Sequence, residues 1–238
     1  MRRFVLGCGL VCVAAVSLAA ARQAGHTAAK EFSPKDWFID PAGRTGAIRR
    51  TTTRADLVRA YGSRNVADGP MDLGEGETTP ATFLFPTDPA HRIAISWPDE
   101  KQQKIPVRIQ IDGDSSVWNT TGAITLGTRL KRIEELNGGP FTLFGFGWDY
   151  SGTVASWQGG KLESAFEPRD RAWRVVVRLS PAGLDPNHVM SEAELAIQGE
   201  RDFPSSHPEM QKLNPAVYQV IWSFHSPEPS SSPSPSPR

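Results

Sequence analysis

Cysteine is nearly absent. The two that occur, Cys8 and Cys12, both fall within the first dozen residues. Downstream of them no disulfide framework is available, and no thiolate for catalysis or metal binding. The remainder must be held by an apolar core, which roughly 200 residues are enough to build. Charge of one sign is absent too: 26 Lys and Arg stand against 26 Asp and Glu. Neither sign forms a block or stripe, which argues against a nucleic-acid partner. The histidines His26, His91, His188, His207 and His225 contain no i, i+4 pair around a glutamate, so no metal site is expected. There is no Gly-x-Ser-x-Gly elbow and no Gly-rich loop ending in Gly-Lys-Ser/Thr. No catalytic residue and no cofactor is assigned, although a triad, being geometric, leaves no fixed sequence trace.

Long apolar runs are missing except at the start. "MRRFVLGCGLVCVAAVSLAAARQ" has two arginines, an apolar run from Phe4 to about Ala20, and an Ala-x-Ala exit at Ala19 to Ala21. This predicts a secretory signal peptide over 1–21, cleaved after Ala21, and hence a periplasmic or secreted protein. An uncleaved anchor is the alternative, but the run barely reaches the roughly 18 to 20 residues a bilayer span needs. A lipoprotein signal does not fit: Cys8 follows Arg3 too closely, and Cys12 is preceded by the large Val11. After cleavage no transmembrane segment remains. Residues 22–45 read as a lead-in whose Trp37 and Phe38 pack on the first sheet. Residues 226–238, "SPEPSSSPSPSPR", have nothing to bury and predict an extended, solvated Pro/Ser tail.

What the chain does contain is a repeated phrase. "GAIRRTTTRADLVRAYG" (Gly46 to Gly62) returns 76 positions later as "GAITLGTRLKRIEELNG" (Gly122 to Gly138). In the second copy Leu130, Ile133 and Leu136 recur at helical spacing, with Leu126 a turn earlier. Thr128 is the expected N-cap there, and Gly138 the stop. In the first copy Thr53 caps with Asp56, Leu57, Ala60 and Tyr61 form the apolar face, and Gly62 stops the helix. Strand-like sequence follows each: "ATFLFP", "RIAISW" and "IPVRIQID", then "PFTLFGFGWDY", "GTVASW" and "AWRVVVRLS". In "VRIQID" and "RVVVRL" the alternation leaves one face apolar. The expected fold is therefore α+β: two tandem units, each a short helix packed on an antiparallel meander, unit 1 over 46–121 and unit 2 over 122–225 with a C-terminal strand. "SEAELAIQG" fits a helix or a strand, Pro208 to Leu213 a helical turn, and "AVYQVIWSF" a last strand. Whether the two sheets run together, and the oligomeric state, stay open.

The pattern of Ile124, Gly127, Thr128, Ile133 and Gly138, and of Ile48, Thr53, Leu57 and Gly62, resembles the repeat of beta-lactamase inhibitor proteins and of the outer-membrane assembly lipoprotein BamE (SmpA). Thr51 stands where that repeat has glycine, and neither copy has its methionine. "GEGETTPATFLFPTDP" and "GFGWDYSGTVASWQGG" are also similar to a family of secreted bacterial proteins of unknown function. The resemblance implies a small extracytoplasmic module that binds a protein or cell-envelope component through an exposed sheet or its loops. It implies no catalytic residue.

Two groups of residues are candidates for binding. "GFGWDY" gathers Trp148, Asp149 and Tyr150 between glycines, with Trp157 shortly after and Trp118 ahead of the second helix. Aromatic faces beside a carboxylate suit sugar rings; the alternative is that these tryptophans are core, their N–H groups satisfied internally. "DGPMDLGEGE" holds Asp68, Asp72, Glu75 and Glu77. These could hold calcium, but the spacing is not that of an EF-hand, and a solvated hairpin turn at Gly74 and Gly76 accounts for it better. Glu75 and Glu77 as a glycosidase pair would need a cleft between them.

Overall fold

The computed structural model describes residues 32–39, 48–74, 76–120, 122–168, 173–183, 185 and 187–224. The expected signal peptide, most of the lead-in, Glu75, His26, His225 and the Pro/Ser tail lie outside the described residues.

The chain is α+β. A short strand β1 (Phe38–Ile39) precedes helix α1 (Arg54–Tyr61), and strands β2 (Val66–Gly74), β3 (Glu77–Leu84), β4 (Ile93–Ser96) and β5 (Arg108–Asp112) follow. After β6 (Asn119–Thr120) come α2 (Leu130–Asn137), β7 (Thr142–Phe144), β8 (Val154–Ser156), α3 (Glu163–Phe166) and β9 (Trp173–Ser180). The chain then forms α4 (Glu192–Ala196), β10 (Asp202–Pro204), α5 (Pro208–Leu213) and β11 (Ala216–Phe224). The ambiguous "SEAELAIQG" is thus a helix, α4, started by a reciprocal Ser191–Glu194 capping box.

One six-stranded sheet dominates, in the order β2-β3-β4-β5-β11-β9, with every neighbouring pair antiparallel. Strands β3, β4 and β5 are the expected first meander; β2, over the acidic run expected to be a loop, adds a fourth strand at its edge. The second half differs from the expected one. Strands β10, β7 and β8 form a separate three-stranded sheet with β7 in the middle, and β9 pairs with β11 instead of β8. The two sheets touch where Thr153 bridges Arg178 and the Leu179 N–H donates to Gly152 O at 2.9 Å. The reason for the rearrangement is that β11 is long, nine residues with one bulge between Val217 and Gln219. It offers a ladder to β5 on one side and to β9 on the other, which the three-residue β8 does not match.

The two helices share their local bonding. In each, a threonine hydroxyl accepts the N–H three residues before it: Arg49 N to Thr52 Oγ1 at 2.9 Å, Thr125 N to Thr128 Oγ1 at 3.1 Å. The first helical N–H donates into the segment leading to the last strand that follows, from Arg54 to Gln103 O at 3.0 Å and from Leu130 to Pro215 O at 2.9 Å. Each stop glycine closes its last turn at positive φ, +87° at Gly62 and +81° at Gly138. Thr53 caps α1 in a full capping box with Asp56. The expectation of Thr128 as the α2 cap is corrected. Arg129 occupies the N-cap with no side-chain bond, because Thr128 lies one position too early. Asn214 supplies the missing acceptor from across the fold, taking the Lys131 N–H at 3.1 Å.

Alternation fixes the two faces of the large sheet. Ile109 and Ile111 of β5, Val220, Trp222 and Phe224 of β11, and Val175, Val177 and Leu179 of β9 join the main core. The same core holds Leu57 and Tyr61 of α1 and Leu130 and Ile133 of α2. Trp37 packs here too, stacked on Tyr61 at 6.0 Å and edge-on to Trp118 at 5.3 Å. Met71, Ala81, Phe83 and Ala94 form a second, smaller apolar cluster. On β3 and β4 these residues alternate with Thr82, Leu84, Ile93 and Ile95, which places them on the opposite face.

Candidate functional site

The opposite face carries the remaining residues of the same three strands: Arg108, Gln110 and Asp112 on β5, Gln219, Ile221 and Ser223 on β11, Arg174, Val176 and Arg178 on β9. The ladder aligns them in rows. Arg108 lies beside Ser223 and Arg174, Gln110 beside Ile221 and Val176, and Asp112 beside Gln219 and Arg178. Together they floor an open cleft of about 820 Å³. One wall comes from the second sheet and its loop, with Phe144, Tyr150, Thr153, Val154 and Ala155; the other is the tip of β2, with Asp72 and Leu73. Leu73 and Tyr150 remain 42 % and 56 % exposed, so each wall presents a large side chain to an approaching surface.

The polar groups here are only partly matched. The Arg108 guanidinium donates to Gln110 Oε1 from Nη2 at 2.8 Å and from Nε at 3.2 Å, and Gln110 Nε2 donates to Asp112 Oδ2 at 2.9 Å. Arg92 reaches Asp112 at 3.3 Å, and Arg174 pairs with Glu167 at 2.9 Å. Burial, and then the positive charge of Arg178, push Arg108 below the ordinary arginine pKa. Among the described residues no carboxylate stands within ion-pair distance of Arg108 or Arg178. Three buried atoms in this cleft, Arg178 Nε, Gln219 Oε1 and Thr153 Oγ1, have no hydrogen-bond partner. Each such atom costs about 1–3 kcal/mol of desolvation until it is matched.

The residues singled out from sequence are divided by the structure. Trp118 is 0 % exposed, its Nε1 donating to His91 O at 2.7 Å, and Trp157 is 3 % exposed between Phe141 and Phe166. Both are core side chains with no ring face at the surface. Trp148, Asp149 and Tyr150 do share the β7–β8 loop. Trp148 is half-buried, bonded through Nε1 to Gly145 O at 3.0 Å, with its ring 5.3 Å from that of Tyr150. Asp149 is exposed. Of this set only Tyr150 lines the cleft. The indole N–H is not satisfied everywhere: Trp222 and Trp173 bury theirs without a partner.

The acidic run forms the β2–β3 hairpin, with Gly76 at φ +79° in the turn. Asp68 accepts from Arg54, from Thr82 at 2.8 Å and from Gln103 at 3.3 Å, a fully occupied carboxylate. Glu77 is exposed on β3. Asp72 points elsewhere, to the cleft wall. The histidines are spoken for singly: His91 binds Asp88, His188 binds Glu194, and His207 caps α5.

Sequence reasoning did not single out Arg108, Gln110, Arg178 or Gln219. Their signal was present as the polar half of "VRIQID" and "RVVVRL" and, for Gln219, in "AVYQVIWSF". Nothing local indicates that β11 enters between those two strands and brings them within reach of one another. Compared with protein-family models, with curated proteins and with solved structures, the chain matches none.

Proposed function

We propose that this is an exported, non-enzymatic envelope protein built of two tandem helix-plus-sheet units, which binds another protein on the open face of its sheet. The observation that carries the reading is the cleft: an uncovered antiparallel face, floored by a mix of arginine, glutamine and aliphatic side chains, and flanked by exposed Leu73 and Tyr150. Aromatic and arginine side chains around a partly apolar centre are what protein interfaces select. Export rests on the signal-like start of the sequence, "MRRFVLGCGLVCVAAVSLAAARQ".

The tandem reading draws support from strand order. The strands after α1 run β2-β3-β4-β5 across the sheet. Continuing outward from β5 come β11, β9, then through the Thr153–Arg178 bridge β8 and β7. The second set thus runs in reverse, with the last strands of the two sets paired antiparallel at the centre. That is the order two copies related by a local two-fold would have, with α3 and the α4-β10-α5 segment as insertions in the second. The matching bonds of the two helices at a spacing of 76 positions agree with it. The likeness to beta-lactamase inhibitor proteins and BamE rests on the sequence repeat, and fold alone does not fix function.

The test is site-specific photo-crosslinking in the source cells. A benzoylphenylalanine side chain at Leu73 or at Tyr150 is expected to yield one adduct of the same mass from both positions. At Arg59 and Lys131, exposed on the helices, it is expected to yield none. Equal labelling from both faces, or no adduct from the cleft walls, would refute the assignment. A second reading, a carbohydrate-binding protein, has one observation in its favour: Trp148 and Tyr150 sit edge to face beside exposed Asp149. It requires a saturable tryptophan-fluorescence change with cell-wall glycan fragments that Trp148→Ala abolishes without unfolding.

A further inference from the structure

Resting on the sheet-face reading above, we propose that Gln219, Arg178 and Thr153 form a carboxamide-recognition point, which receives an asparagine or glutamine side chain from the docked protein.

Strand register brings the three together. Gln219 on β11 pairs with Arg178 on β9, and Arg178 bridges Thr153, the residue before β8. Side chains paired in this way stand on one face, their Cβ atoms about 5 Å apart, and all three line the cleft. The bulge in β11 sets the row. Val217 faces Leu179, Tyr218 is passed over, and Gln219 takes the place beside Arg178. In an unbroken ladder Tyr218 would stand there. Bulges re-aim side chains in this manner beside functional sites.

Each member of the row keeps a buried polar atom that has no hydrogen-bond partner among the described residues: Gln219 Oε1, Arg178 Nε and Thr153 Oγ1. Thr153 as a whole is only 7 % exposed. The other ladder neighbour of Gln219 is Asp112, whose carboxylate has no proton to give and accepts from Gln110 and Arg92. Three such atoms in adjacent positions are a set of hydrogen-bond demands that one incoming group can meet.

Those demands select the group. Arg178 Nε–H needs an acceptor, Gln219 Oε1 needs a donor, and the Thr153 hydroxyl plays either part. A carboxamide carries both on one flat head. Its oxygen accepts from Arg178 Nε and from the Thr153 hydroxyl, and its NH2 donates to Gln219 Oε1. A carboxylate would set a second acceptor against Gln219. The atoms are buried on the floor of the cleft, where the slender end of a side chain fits better than a main chain with its substituents. Leu73 and Tyr150, exposed on the walls, then give the flanking residues apolar contact. An added strand is not an alternative here, because β11 already pairs on both sides and β9 is held between β11 and the bridge to Thr153.

The experiment uses the full chain labelled with ¹⁵N. The probes are the capped peptide acetyl-Gly-Gln-Gly-amide, its Glu and Ala counterparts, and N-acetylglucosamine, which carries an amide on a sugar. The Gln peptide is expected to shift the Arg178 Nε–H signal saturably. The Glu peptide, and the Ala peptide with its backbone amides alone, are each expected to bind roughly tenfold more weakly, the loss of one or two hydrogen bonds. Gln219→Met removes the acceptor and keeps the shape, and is expected to weaken the Gln peptide by a similar factor. Without peptide, its urea midpoint should be no lower than that of the wild type, because the oxygen it removes has no partner to lose. A lower midpoint, or failure to fold, would place that oxygen in a bond within the chain and overturn the proposal. Lys131→Gln, on the exposed face of α2, is expected to change nothing. Equal binding of the three peptides also overturns the proposal, as does tighter binding of the Glu peptide or of N-acetylglucosamine. Should the peptides fail while crosslinking from Leu73 and Tyr150 still gives its adduct, only this carboxamide assignment falls. Loss of the adduct itself removes the sheet-face reading.

Discussion

Replacing Gly152 by alanine tests how the cleft is held together. Gly152 sits at φ +63°, where an L side chain costs about 1–2 kcal/mol. A Cβ there would lie 1.8 Å from Leu179 O and 3.1 Å from the Phe146 ring. The first distance is far inside contact, and its neighbour is backbone, so β8 must draw back from β9. Doing so breaks the Leu179 N–H to Gly152 O bond and the Thr153–Arg178 bridge, the contacts that join the two sheets. Leaving one or two buried backbone groups unmatched adds about 1–3 kcal/mol each. The expected total is about 2–8 kcal/mol, a fall in Tm of roughly 4–30 °C for a domain of this size. Gly159 is the control. Its φ is +74°, yet nothing lies within 4 Å of a Cβ there, so Gly159→Ala should cost only about 1–2 kcal/mol. Urea unfolding followed by circular dichroism measures both, with equal m values if unfolding stays two-state. If Gly152→Ala falls within about 0.5 kcal/mol of Gly159→Ala, the second sheet is not anchored at this seam, and the cleft wall is not built as described.

Three further expectations follow from single residues. Asn137, buried at the end of α2, donates to Trp157 O at 3.0 Å and accepts from Leu162 N at 3.3 Å; Asn137→Ala leaves both unmatched and should cost about 2–5 kcal/mol in urea unfolding. Thr53→Ala removes the α1 cap and should cost about 1 kcal/mol by the same assay, while Arg129→Ala, at a cap position with no side-chain bond, should not. For Glu194, burial raises the pKa, but the Ser191 N–H and hydroxyl and then His188 outweigh it and hold the carboxyl below its ordinary value. Its contribution is therefore present above the unfolded-state pKa and is lost as pH falls through the lower folded one. The urea midpoint of the wild type should drop between about pH 5 and pH 3 more steeply than that of Glu194→Gln.

Much of the local structure was legible because its causes are local. Thr53 and Asp56 are three apart in sequence and close the capping box without help from elsewhere. Gly62 and Gly138 end their helices because the turn needs positive φ, a demand of the backbone alone. Alternation in "VRIQID" and "RVVVRL" announced strands with one apolar face, and the α+β class followed. The cap of α2 was missed because its acceptor, on Asn214, is far away in sequence. Trp118 and Trp157 look no different from Trp148 along the chain; burial, which depends on what packs against each ring, separates them.

The sequence by itself determined part of the short-range structure: helices α1 and α2 with their stops, strands β3, β4, β5, β7, β8, β9 and β11, the apolar face of β5 and β9, and the repeated phrase that sets α1 and α2 in step. Only the tertiary structure decided that β11 would pair with both β5 and β9, and with that choice it placed Arg108, Gln219 and Arg178 on the floor of one cleft. The physical reason is range. Caps, turns and alternation are set by interactions a few residues long, whereas strand order is settled by which distant ladders compete best for one another, and no residue on β5 carries a mark of its partner on β11.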